Sequence, residues 1–107
     1  MMSDTIRVEH WDPGLDGPLT ESALRDRLEA RGYHVSRYVY APGTVIPDHS
    51  HDEDKIDAVL SGRLRMTMHD EEVVLERGDS LAVPRGVTHS AEVIGDDPVV
   101  SLDATRG

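Results

Sequence analysis

From Tyr33 onward, apolar and polar residues alternate with a period of two, and this pattern leaves a short chain few folds to choose from. Such alternation marks strands that bury one face. Residues 34–40 read as a strand, turned by Ala41, Pro42 and Gly43. Residues 56–60 read as another, broken at Ser61 and Gly62. Over 63–68, Leu64, Met66 and Met68 share one face, and His69-Asp70 reads as a hairpin turn into 72–75. Residues 80–83, 88–94 and 99–103 complete the set. About seven or eight short strands, with a turn signal every 8–12 residues or so, predict an all-β sandwich or small barrel.

The N-terminal third reads differently. Residues 5–9 alternate weakly and suit an edge strand, and 11–18 are dense in Pro, Gly and Asp and read as a loop. One helix is expected after Thr20, which can cap it. Leu19 and Leu24 have staple spacing, Leu24 and Leu28 share a face, and Gly32 suits the position just past the end. With 107 residues the chain is expected to form one structural domain. Within it, 1–34 would supply a strand, a loop and a helix packed on a β unit spanning 35–107.

The net charge of −10 argues against nucleic acid and anionic membrane as partners, because phosphates favour a basic surface. The absence of cysteine rules out disulfides and thiol chemistry. The first residues lack the apolar stretch of a signal peptide, and no run is long enough to span a bilayer, so a cytoplasmic location is the expectation.

Chemistry concentrates in three histidines. His49 and His51 lie two residues apart, so an extended backbone would project both from one face. His89 follows later, on one face with Ala91 and Val93, and therefore points inward with apolar neighbours. Three convergent imidazoles can hold one divalent transition metal and leave positions open; Fe, Mn, Ni, Cu and Zn all suit such donors. His10, His34 and His69 fall in a loop, a mixed strand and a turn, and read as solvated. Tyr38 and Tyr40 suit core positions or a cavity mouth. Met66 and Met68 suit the core, and Arg63 and Arg65 a solvated face. Alternation puts Arg37 with Val35 and Val39, as an inward arginine able to meet an anion, and Asp103 inward with Val99 and Ser101.

Gly43, five residues, His49-x-His51 and then Gly62 resemble the first motif of the cupin superfamily. Gly78, five residues, Pro84-x-Gly86, two residues and His89 resemble the second. The resemblance implies a jelly-roll barrel, here with one short N-terminal α-helix, often paired as a homodimer, whose motif histidines hold a metal inside. It carries over as His49, His51 and His89. The family's glutamate, seven residues before the closing glycine, is Lys55 here, and its final asparagine is Val93. A dication about 5 Å from an ammonium, at an effective dielectric near 20, repels it by about 6 kcal/mol. Asp57, on the same face as Lys55, would relieve this by pairing with Lys55 or by ligating. Alternatively Lys55 is neutral beside the metal and serves as a base, or turns to solvent or to Asp52, Glu53 or Asp54. A shifted register would instead make Glu53 or Asp54 the acidic ligand. The resemblance implies dioxygenase or isomerase chemistry on a small organic molecule, with Lys55 or Asp57 as acid/base. The alternative is a metal-poor module that binds or senses a small ligand.

Overall fold

The computed structural model describes residues 6–107. The two-residue period becomes strands β2 (His34–Tyr40), β4 (Asp54–Ser61), β5 (Arg63–Met68), β6 (Glu71–Leu75), β7 (Asp79–Val83), β8 (His89–Ile94) and β9 (Val99–Arg106), and a further strand that alternation does not mark, β3 (Val45–His49), carries His49. Ahead of them lie β1 (Val8–His10), α1 (Pro13–Asp16) and α2 (Glu21–Ala30). The edge strand expected over 5–9 thus appears at Val8–His10, and Thr5 lies outside the described residues. His69 and Asp70 turn β5 into β6 with φ of 56° and 62°, the left-handed pair of a tight hairpin.

Two helices form where one was expected. Asp12 caps α1, its Oδ1 accepting from the Gly14 N–H at 2.9 Å, with a proline in the first turn. Asp followed by Pro is a helix-start signal, hidden here among turn residues. α2 begins as expected, with Thr20 Oγ1 accepting from the Ala23 N–H at 3.0 Å.

The strands form two antiparallel sheets, ordered β1-β7-β4-β9-β2 and β3-β8-β5-β6. No ladder joins one sheet to the other among the described residues, so the expected closed barrel is replaced by two facing sheets. β3 shows one reason. It contains Pro47, which has no N–H to donate, and its pairing with β8 shifts register between Ile46 and His49. Gly62 makes the corner between sheets at φ 81°; a Cβ there would stand 2.3 Å from the Pro98 carbonyl oxygen.

Alternation along β4 divides the molecule into two cores. Val59 joins Leu64, Met66, Leu81, Ala91, Val93 and Val99 between the sheets. Ile56, Ala58 and Leu60 face the other way, with Leu102 and Ala104, and bury Leu24 and Leu28 of α2. Burying a Leu side chain fully is worth about 1.5–3 kcal/mol, which is what holds so short a helix in place. The outer layer also corrects Arg37. Val35 packs toward α2, and Arg37 Nε donates to Glu21 Oε1 at 3.0 Å, so this arginine faces outward. No helix of the described residues is long and apolar enough to cross a membrane.

Candidate metal centre

His49 and His89 are cross-strand partners on β3 and β8, and their ring centroids lie 4.2 Å apart. His51 lies beyond the end of β3, so strand alternation does not aim it. Its ring still meets His49 edge-on at 4.7 Å and His89 at 5.2 Å. The turn after β7 holds His51 in place. The Gly86 N–H donates to the His51 carbonyl at 2.7 Å, and the Arg85 N–H donates to Asp54 Oδ1 at 3.0 Å. The second glycine-rich motif thereby clasps the loop that carries the first. These contacts hold the Asp54 carboxyl below the usual range, the Arg85 backbone N–H contributing most.

The donor set fits a metal. His49 Nδ1 donates to the Pro47 carbonyl at 2.7 Å, and His89 Nδ1 donates to the Val87 carbonyl at 3.0 Å. A carbonyl only accepts, so in the neutral form of each ring Nδ1 carries the proton and Nε2 keeps its lone pair. One ligand atom from each histidine lies within 4.8 Å of the other two. Nitrogens held ~2.0–2.2 Å from a common ion stand roughly 3–3.5 Å apart, which small side-chain rotations reach. Burial, chiefly, pushes the His51 and His89 imidazoles below their ordinary range, with the neighbouring His49 and Lys55 adding to it. Low basicity keeps these rings in the neutral form that binds metal.

The rings sit in the wall of a cavity of about 280 Å³ between the sheets. Lys55 and Asp57 of β4 and Asp103 of β9 line the five-stranded side, with Tyr38 and Tyr40 of β2. Lys55 faces inward, not to solvent, and its Nζ donates to Thr105 Oγ1 at 2.7 Å. Asp57 and Asp103 are cross-strand partners. Burial first, and then the Asp103 charge, push the Asp57 carboxyl up to about 7, against the pull of Lys55. The cavity gives Asp57 some open surface, yet it sits deep between the sheets. The Tyr40 hydroxyl donates to Asp103 Oδ2 at 3.0 Å, and burial with the Asp103 charge raises Tyr40 above its usual range.

The remaining candidates separate cleanly. His34 and His69 are exposed, and His10 pairs with Asp79 at the outer edge. Met66 is both core and cavity wall, whereas Tyr38 is 48% exposed at the mouth. Asp54 turns to Arg85 and Arg106, away from the role of acidic ligand. Asp103 and Tyr40 face the cavity, in line with the inward position and the cavity mouth that alternation offers them. The signal for them was the parity they share with Ser101 and Tyr38.

Comparison with known proteins agrees with the fold. A curated relative, the uncharacterised protein SCO3923 of Streptomyces coelicolor, is 33% identical over 77 residues, 72% of this chain and 73% of its own. The fold is similar to that of SPY1581, a Streptococcus pyogenes protein of unknown function, at a TM-score of 0.62 and 20% identity, over 68% of this chain and 62% of that one. It is also similar to a structure described as the DMSP lyases RdDddP and RnDddQII, at a TM-score of 0.64 and 25% identity, over 70% of this chain and 38% of that one. This chain therefore spans less than two thirds of either solved chain. The cupin domain model matches residues 36–105, a span that holds all three histidines and both glycine motifs. With well over half its length matched, the chain belongs to the cupin superfamily.

Proposed function

We propose that this cupin is a small metal-dependent enzyme acting on a small organic molecule, with His49, His51 and His89 as the ligands. The observation that carries this reading is the convergence of three imidazoles, two with Nε2 left free by backbone carbonyls, on one cavity. A divalent transition metal held there supplies a Lewis acid with open positions. Asp57, on the facing wall, serves as acid/base. Its raised carboxyl titrates near neutrality, where a general acid or base works best. Lys55 orients a negatively charged part of the substrate. Between the two reaction types the resemblance implies, the titrating carboxyl favours isomerase chemistry over dioxygenase chemistry. The likeness to DMSP lyases adds lyase activity to the classes worth assaying.

A second reading, a binding or sensing module with little metal, rests on Lys55, whose charge faces the site. Metal content decides between them. Protein purified without a histidine tag is expected to bind about one equivalent of Fe, Mn, Ni, Cu or Zn per chain. His49→Ala and His89→Ala should each abolish tight binding with the circular-dichroism spectrum unchanged, and His69→Ala should not. Wild type that retains no metal and takes none up belongs to the second reading.

A further inference from the structure

Asp57 and Asp103 stand directly opposite each other on the inner faces of β4 and β9. Two like charges so placed repel. Among the described residues, neither carboxyl forms an ion pair within 4.0 Å, although most of the arginines do. Lys55, two residues along β4, directs a donor to Thr105. Around the pair stand Tyr40 and Ser101, whose hydroxyls donate to Asp103 Oδ2 and Oδ1, each at 3.0 Å. The three imidazoles line the same cavity. Both oxygens of Asp103 therefore already accept hydrogen bonds from the protein. Lys55 pulls on Asp57 only from a distance, and two facing carboxyls with no close ion pair are relieved by holding one proton between them.

We propose that Asp57 and Asp103 share a single proton and work as one acid–base unit facing the three histidines. Asp57 is the member that meets a bound molecule, and Asp103, braced by Tyr40 and Ser101, is its positioning residue. This rests on the cavity being a reaction site, as proposed above. Asp57 near 7 and a Tyr40 that stays protonated agree with it. Once the pair has given up its proton, it can take one from a carbon next to a carbonyl. The C–H bond breaks, its electron pair stays on the substrate, and the proton is held between the two carboxyls. It is then delivered to a neighbouring carbon or oxygen, which leaves the pair ionised as it began. Protons and electrons balance, and no oxidant is consumed. The fitting substrate class is a small molecule whose C–H is acidified by an adjacent carbonyl, isomerised in place.

The test is infrared spectroscopy of protein carrying isotope-labelled aspartate side chains, metal-free and zinc-loaded. At about pH 6, exposed aspartates, with ordinary values near 3.9, are ionised. Wild type is expected to keep one protonated-carboxyl band per chain there, titrating near neutrality in the metal-free protein. Asp57→Asn should remove the band. Tyr40→Phe withdraws a donor that favours charge on the pair, so its midpoint should rise by about half a pH unit or more, a change of at least ~0.7 kcal/mol. No band in wild type, or a band that survives Asp57→Asn, overturns the shared proton. A midpoint unmoved by Tyr40→Phe overturns the bracing of Asp103. The metal-free band does not depend on metal binding, so failure here is distinguishable from failure of the histidine site.

Discussion

Lys55 occupies the position where cupins usually place a carboxylate ligand, and its side chain does face the cavity. Its stem lies along β4 beside Asp57, and its ammonium is held by Thr105. Its charge also contributes to pushing His51 and His89 below their ordinary range. The same field opposes a bound dication. Lys55→Glu is therefore expected to tighten divalent binding at least tenfold, or ~1.4 kcal/mol. That is a fraction of the bare Coulomb repulsion, because Asp57 and water screen it. Lys55→Met, which removes the charge without adding a ligand, should lie between wild type and Lys55→Glu in a competitive metal titration at one pH. If both variants bind more weakly than wild type, Lys55 holds the site together and its assigned role is reversed.

At the level of elements, the site depends on a loop that no strand fixes. His51 follows the end of β3 and is placed by the turn between β7 and β8, through Gly86 and the Asp54–Arg85 contacts. Asp54→Ala should accordingly weaken metal binding by about tenfold or more, the usual effect of losing a group that orients a ligand. Isothermal titration alongside an unchanged far-UV spectrum checks this; unchanged affinity would mean that Gly86 alone suffices. The strands themselves were legible in the sequence because one-face burial writes itself as alternation. The inward face was less so. Along β2 and β4 one face meets the other sheet and the opposite face meets α2, so apolar residues fall on both. Val35 and Val39 therefore suggested an inward Arg37, whereas the inner face of β2 belongs to Tyr38 and Tyr40. The convergence of His51 was expected for the wrong local reason. The i,i+2 rule applies within a strand, and a backbone clasp between distant motifs places His51 here. Nothing local in the sequence announces that clasp.

At the scale of the whole molecule, the space between the sheets is shared by an apolar core and a polar cavity, and the cavity lowers stability. The cost depends on pH, and its sign follows from Asp57. In the unfolded chain this carboxyl loses its proton near the ordinary aspartate value of ~3.9. In the folded protein burial and Asp103 hold the proton up to about 7. Across that window the native state binds more protons than the unfolded state, so stability falls as pH rises and levels off above the folded value. His51 and His89 act oppositely. Their depressed basicity gives stability that is present above the ordinary histidine value and lost as pH falls through the folded one. The two trends overlap, so wild type alone does not separate them, but Asp57→Asn does. Metal-free wild type and variant, unfolded by urea at intervals from about pH 4 to pH 8, should differ little at the acidic end, apart from any constant offset. The variant should then gain on wild type as pH rises, by more than ~1.4 kcal/mol at pH 8, because each tenfold difference in proton affinity between the folded and unfolded states is worth about that much. A difference that stays flat with pH would mean that Asp57 ionises in the folded protein as it does in the unfolded chain, and that the cavity is far wetter than its walls imply.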